Sequence, residues 1–454
     1  MRPTVEIGEL VERDVVALQT GPFGSQLHSY DYVECGVPIV PTEGIQGGRL
    51  DHNVLPKITS EKANELARHR LKVGDVLFAR RGAQATGRTA RVREAEADFI
   101  CGTGAILARV HDKEILDPDY FAWFLLAPDT IEWIREQAIG ATMPNLNAGI
   151  IKRIVLPLPP LPEQREIAAV LGSLDDKIEL NRKMAATLEA MARALYRSWF
   201  VDFDPVHAKA EGRAPAHMDA ATAALFPDRF GEDGLPEGWE WETFESRYRV
   251  LETGKRPKGG IVKVKDGVPS IGAESIKQIG FFDFGKTKAV PREFFEAMRK
   301  GRLSDGDILI YKDGGKPGEL RPAATYVSKG FPFHEACINE HVFRVRIDEP
   351  LGQHFGFLSL SSDHCMHQMR ELATGVAQPG LNQSAMKALS FLMPSDPKII
   401  KVFSKLVGPL LDGCNERASE NRTLATLRDT LLPRLMSGEL RVGAAREQVE
   451  EAVW

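Results

Sequence analysis

Apolar side chains recur at alternating steps of four and three along one stretch of the chain. They are Ile167, Leu171, Leu174, Ile178, Ala185, Leu188, Ala192, Leu195 and Trp199, with Asn181 holding the polar place among them. This spacing is the seam of a coiled coil. Pro162 suits the first helical position, and Glu163 and Glu166 favour the positive end of the helix dipole. A second stretch opening at Pro397 repeats the alternation through Phe403, Val407, Leu410, Cys414, Arg417, Asn421, Leu424, Arg428, Leu431 and Leu435. The stripes are offset uniformly and are expected to pair, with Asn181 and Asn421 fixing register at a cost in stability. Gly408-Pro409 predicts a kink or a late start in the second helix. From Pro162 to Phe200 the first would be roughly 55 to 60 Å long, several times what packing on one small domain requires, so it reads as a spacer.

Elsewhere the pattern changes to short runs of Val, Ile and Phe broken by Gly, Pro and Asn, the signature of strands and turns. The clearest strands are "DVLFAR" with "ICGTGAILARV", and "DILIYK" with "HVFRVRI". These runs occur twice in the same order. "GVPIV" at Gly36 returns as "GVPSI" at Gly267, "VGDVLF" at Val73 as "DGDILI" at Asp305, and "GATMPNLN" at Gly140 as "GVAQPGLN" at Gly375. A repeat of this length fixes the architecture. The expected fold class is α+β (mixed α/β): two similar globules separated by two long antiparallel coiled-coil helices, with a pseudo-two-fold internal repeat. The expected boundaries are 1–157 for the first globule, 158–204 for the first helix, 205–394 for a linker and the second globule, 395–440 for the second helix, and 441–454 for an acidic tail.

Length and composition agree with this division, because 454 residues exceed one ordinary core. No run approaches the length of a membrane span and no signal peptide is recognisable, so the expected compartment is the cytoplasm. The five cysteines lie far apart without a CxxC pair, which argues against a disulfide framework and a zinc ribbon. A net charge of −5 does not announce a nucleic-acid binder, but the charge is unevenly placed. Arg68, Arg70, Lys72, Arg80, Arg81, Arg88, Arg91 and Arg93 face Asp75 alone among acids.

Two globules held apart suit a reader of two half-sites on duplex DNA. The candidate contacts in the first globule are Arg80, Arg81, Gln84 and Arg88 in the glycine-bearing loop "RRGAQATGR", with Ser25 and Gln26 in the polar turn "GPFGSQLHSYDY". In the second they are Lys255, Arg256 and Lys258, then Lys312, Lys316 and Arg321 around "YKDGGKPGELR". Arg can grip guanine edges bidentately, Gln suits adenine, and Lys mainly neutralises phosphate. Glycines let backbone amides approach the phosphates. The rival reading is a coiled-coil scaffold whose globules bind proteins rather than DNA.

Catalytic readings fare poorly. A methyltransferase needs a glycine-rich cofactor turn and an Asn/Asp-Pro-Pro-aromatic loop, and neither is recognisable. Asp307 and Lys312 suggest a nuclease, but the first globule has Asp75 and Arg80 in the same places. His364, Cys365 and His367 lack a partner pair at metal-ligand spacing, and no P-loop appears.

Over essentially its whole length the sequence resembles the specificity subunits of type I restriction-modification systems. The resemblance is carried by "LPLPPLPEQREIAAVLGSLDDKIELNRKM", "LEAMARALYRSWFVDFDPV" and "ENRTLATLRDTLLPRLMSGELRV", with "GPFGSQL", "GDILIYKDG" and "GATMPNLN" inside the globules. It implies that each globule is a target-recognition domain reading half of a bipartite, interrupted DNA sequence, while the helices set the gap. It further implies a non-catalytic chain that docks two methyltransferase subunits, to which restriction/translocase subunits attach. S-adenosylmethionine, ATP and Mg would then be needed only in those partners. Arg165, Lys183, Arg193, Tyr196 and Arg434, on the exposed helix faces, are the implied docking residues. The interrupted second helix, with Arg417 and Arg428 on its seam, departs from the family pattern.

Overall fold

The computed structural model describes residues 2–23, 26–82, 85–140, 144–258, 267–277, 279–280, 287–313, 315–316, 319–375 and 379–453. The chain forms two compact units, Met1–Lys177 with Thr423–Trp454, and Ile178–Arg422.

The first unit is built on a four-stranded antiparallel sheet in the order Val16–Thr20, Ala105–Val110, Val76–Ala79, Thr89–Arg91. "DVLFAR" forms the strand Val76–Ala79 with all four side chains buried, as a continuous apolar run in a covered strand requires. A second sheet runs Ile100–Cys101, Val37–Val40, Lys57–Ile58, Tyr32–Val33, its first pair parallel. Thr4–Glu6 pairs with Val155–Pro157 just ahead of the first long helix. Leu77, Ala79, Ala90, Ala105 and Leu107 share the core of this globule.

The second unit repeats the plan. Its antiparallel sheet runs Tyr248–Thr253, Val342–Ile347, Ile308–Tyr311, Ala324–Tyr326, and Val268–Ile271 pairs in parallel with Cys337–Ile338. Glu240–Thr243 pairs with Ser390–Met393, as Thr4–Glu6 pairs with Val155–Pro157. Close backbone approach is repeated too. A Cβ on Gly21 would lie 1.8 Å from the Gly102 carbonyl oxygen, and one on Gly254 would lie 1.7 Å from that of Ile338. Only glycine fits either position.

Each long helix has 40 residues, Leu161–Phe200 and Lys398–Ser437. Each crosses the boundary between the two units, which falls inside the helices. Within the first unit the helix segments carry Ile167, Leu171 and Leu174 on one side and Leu424, Leu431 and Leu435 on the other, all 0% exposed. Each such side chain stabilises by about 1.5–3 kcal/mol. Their direction follows from Arg428, which reaches Asp175, and from the cleft where Glu163 and Glu166 meet Ser437 and Gly438. As one index rises the other falls, so the segments are antiparallel. Within the second unit the same holds. Cys414 Sγ lies 3.3 Å from the Ala185 carbonyl oxygen, and Trp199 and Phe200 pack on Phe403.

Several details differ from the sequence reading. Helical structure runs unbroken from Lys398, so the late start expected at Gly408-Pro409 is not found. Gly408 is small because the His354 ring lies on it: a Cβ there would come within 2.9 Å of the imidazole. In the second unit the burial stripe broadens to Leu411 and Asn415, both 0% exposed, and Asn415 Nδ2 donates to Tyr326 O and Ser328 Oγ. Here the helix packs on its own globule as well as on its helical partner. Arg417 pairs with Glu420 at 3.0 Å and Arg428 with Asp175 at 3.0 Å, which accounts for both arginines near the seam. The expected acidic tail is the helix Val442–Val453, with Val442, Ala445 and Val449 buried. The stretch from Phe203 to Trp239, expected to be a linker and the entry into the second globule, forms the helix Asp204–Ala210 and contributes Val206, Phe226 and Trp239 to the second unit's core.

Candidate nucleic-acid interface

In the first unit, three loops meet at one end of the main sheet, two leaving its strands and one joining the helices Pro128–Gln137 and Ala148–Lys152. Strand Val76–Ala79 ends beside Ala105, and the next residue, Arg80, donates its backbone N–H to Gly104 O at 2.9 Å. The loop after Val16–Thr20 starts at the same place, with Gly21 N–H donating to Ala105 O at 3.0 Å. The third loop is stitched on by Leu146 N–H to Arg80 O at 2.8 Å, and by bridges that pair Asn145 with Arg81 and with Ile139. Gly82 and Gly140, each at φ 109°, make the turns that a side chain would strain. Asn147 Oδ1 accepts from Ile150 N–H and starts the next short helix.

These connections bring Arg80 and Arg81 together, and Arg88 lies beside them, its carbonyl oxygen accepting from Ala79 N–H at 2.9 Å. Arg80 Nε donates to Asn145 Oδ1 at 3.2 Å, and Arg88 Nη1 to Gln46 Oε1 at 2.9 Å. Arg81 is exposed. Gln26 Oε1 accepts from Phe23 N–H at 3.1 Å and from Arg68 Nη2 at 3.4 Å. Ser25 and Gln84 lie outside the described residues.

The second unit has the same edge with other chemistry. Lys312 N–H donates to His341 O at 2.9 Å, Lys312 O accepts from Leu381 N–H at 2.7 Å, and Asp313 bridges to Gly380 as Arg81 does to Asn145. Gly254 N–H donates to Asn339 O at 3.1 Å, which brings Lys255, Arg256 and Lys258, all exposed, to this edge. Arg256 Nε lies 2.7 Å from Glu340 Oε1, and Lys312 Nζ lies 3.5 Å from Asp313 Oδ2. Lys316 belongs to the two-residue strand Gly315–Lys316, and Arg321 is exposed just past its partner strand Glu319–Leu320. Asn145, Asp313, Glu340 and His341 were missed as candidates. Aligning "GATMPNLN" with "GVAQPGLN", and "DVLFARR" with "DILIYKD", sets Asn145 at the station of Gly380 and Asp313 at the station of Arg81.

Not all the basic run from Arg68 to Arg93 is available at this edge. Arg91 bonds Asp119, and Arg93 bonds Asp175 at 2.5 Å. Asp175 is 8% exposed and also takes Arg49 at 3.1 Å and Arg428 at 3.0 Å. Burial pushes its carboxyl up, but the guanidinium groups outweigh burial and hold it below the ordinary value. These side chains line a cleft of about 770 Å³ in the first unit, where their charges are spent on one another.

Asp75 does not balance the basic run. Its carboxylate takes a two-pronged grip from Arg109, Nε at 2.8 Å and Nη2 at 2.6 Å, plus the Lys72 N–H at 2.7 Å. Asp307 is held the same way, by Arg346 Nε and Arg344 Nε at 2.6 Å each and Ser304 N–H at 2.7 Å. At 0% exposure, and at the opposite end of its strand from Lys312, Asp307 is a structural anchor and not half of a nuclease pair. His364 Nε2 lies 3.1 Å from Ser390 Oγ, Cys365 is buried with its thiol pushed up to about 12, and His367 faces Glu371. Among the described residues no group of three or more His, Cys, Asp or Glu is arranged to hold a metal ion.

The implied docking residues divide. Lys183 is exposed, and Arg165 and Arg434 lie beside Glu114 and Glu439. Arg193 instead donates to Ser361 and Glu189, and Tyr196 packs on Phe200, Phe355 and Phe403. Those two serve the second unit's own packing. Among the described residues no helix is long and apolar enough to cross a membrane.

A family model described as the type I restriction modification DNA specificity domain matches residues 14–190. The HindI type I restriction enzyme specificity subunit of Haemophilus influenzae is 27% identical over 428 residues, covering 82% of this chain and 88% of that one. The MjaIX specificity subunit of Methanocaldococcus jannaschii is 24% identical over 335 residues, covering 73% and 71%. The crystal structure of a type I restriction-modification S subunit from M. genitalium aligns over 96% of both chains with a TM-score of 0.54 at 15% identity, which shows a shared fold.

Proposed function

We propose that the chain, which is similar to the specificity subunits of type I restriction-modification systems, belongs to that family and is the DNA-reading subunit of such a complex. Each unit reads one half of a bipartite, interrupted target, and the paired helices set the gap. Two methyltransferase subunits dock on the helices, and restriction/translocase subunits attach to those. The chain itself carries no reaction, so S-adenosylmethionine, ATP and Mg act in the partners.

One observation supports this reading above the others: the same sheet edge is built twice and furnished differently. Arg80, Arg81 and Asn145 occupy it in the first unit, and Lys312, Asp313 and Gly380 in the second. A scaffold has no use for two unlike polar stations on one backbone plan, whereas a reader of two unlike half-sites requires them.

A salt titration tests it. The complex of full chain and methyltransferase subunits should bind duplex DNA with affinity falling linearly on a log–log salt plot. Six to ten phosphate contacts would cost about 10³- to 10⁵-fold between 50 and 200 mM salt. Binding indifferent to salt would favour the protein-scaffold reading.

A further inference from the structure

A carboxylate at a DNA-facing edge needs an explanation, because it repels phosphate. Asp313 stands at the station where the first unit has Arg81: each pairs by a backbone bridge with the loop that leads into the next short helix. The side chain is not committed to the core, since its exposure is 19%. It is nevertheless aimed. His341 Nδ1 lies 2.5 Å from Oδ1, and Lys312 Nζ lies 3.5 Å from Oδ2. His341 Nε2 in turn faces Glu340 Oε1 at 3.3 Å, and Arg256 holds that same oxygen at 2.7 Å. On the remaining side Gly380 lies flat against it: a Cβ there would come within 3.0 Å of Asp313 Cβ.

An ionised carboxylate offers about four acceptor sites, and His341 and Lys312 use two. The other lone pairs can accept only from a donor. On the floor of the major groove the donors are the exocyclic amino groups, cytosine N4 and adenine N6. Arg81 presents the opposite chemistry, donors that suit the O6 and N7 of guanine.

The geometry points to Asp313 as the base-reading acceptor of the second unit, oriented by His341 and Lys312 toward the exocyclic amino group of a base in its half-site. The assignment rests on the DNA-reading function proposed above and adds a named specificity residue to it. His341 is a positioning residue here: it holds the carboxylate and need not touch DNA.

The test uses the full chain assembled with its methyltransferase subunits and a pool of duplexes randomised across the target, with methylated or retained molecules sequenced. Wild type must first show a two-part preference, and failure at that step would sink the DNA-reading function itself. Given that preference, Asp313→Asn, which keeps the shape but changes acceptors into a donor and an acceptor, should relax discrimination at a single position of one half-site by about five- to a hundredfold. The other half-site should be unaltered. Asp313→Glu, which keeps the charge and misplaces it, should weaken the same position. His341→Gln should act there too, more mildly. Unchanged preference in both Asp313 variants, or a uniform loss across all positions, would overturn the assignment.

Discussion

Replacing Asp175 with alanine tests how the first globule is fastened to the helical segments of its own unit. The carboxylate is the common acceptor for Arg49 and Arg93 from the globule and Arg428 from the second long helix. Removing it leaves three guanidinium groups converging on an empty place, with side-chain exposures of 22%, 30% and 25%. Breaking a fully buried pair costs about 3–5 kcal/mol. Water still reaches these arginines, so the figure is discounted to about 2–3 kcal/mol. For a unit of this size that is a fall of roughly 4–12 °C in melting temperature. The pH dependence has a definite sign. The folded carboxyl titrates below its ordinary value because the arginines outweigh burial. Its contribution is therefore complete above about pH 4, where the unfolded carboxyl is ionised, and is lost as pH falls through the lower folded value. Scanning calorimetry of the full chain should show the first unit's transition displaced in Asp175→Ala near neutral pH, with the gap to wild type closing below about pH 4. Equal melting at neutral pH, or a gap that ignores pH, would refute the reasoning.

Asn181→Leu should raise the stability of the second unit by about 1–3 kcal/mol, because both amide atoms are buried without a partner among the described residues. A lower melting temperature would show that the amide is satisfied in solution. Gly254→Ala should cost the second unit about 2–4 kcal/mol or prevent its folding, since the new methyl would lie 1.7 Å from Ile338 O; wild-type denaturant midpoints would contradict this. One heptad added after Leu188, matched by one after Asp412 in the facing helix, should widen the tolerated gap between half-sites and leave both half-sites unchanged. Methylation mapping that returned the original gap would count against the helices as a ruler.

The periodic parts of the molecule were legible in the sequence for a physical reason. A helix seam writes itself at steps of three and four, and a repeated fold writes its turns twice, so the long helices and the doubled globule follow from Ile167 to Trp199 and from "GATMPNLN" with its echo. Pairings between distant residues leave no such trace. Nothing near Asp75 points to Arg109, 34 positions on, and nothing around Arg93 points to Asp175, 82 positions on. Counting charge along the chain therefore overstated the basic surface, because it could not subtract arginines spent internally. The broader burial of Leu411 and Asn415 was hidden similarly, since a heptad pattern records one partner surface and this helix has two. The station shared by Arg81 and Asp313 was available in the repeat alignment, but it reads as a site only once the bridges to Asn145 and Gly380 are seen.

The most direct measurement is methylation mapping of a host genome carrying the chain with the stretch Gly36 to Leu156 replaced by that of another specificity subunit. One half of the bipartite target should change to the donor's sequence while the other half stays as in wild type. A chimera that assembles and methylates but alters both halves, or neither, would contradict the claim that each unit reads its own half-site.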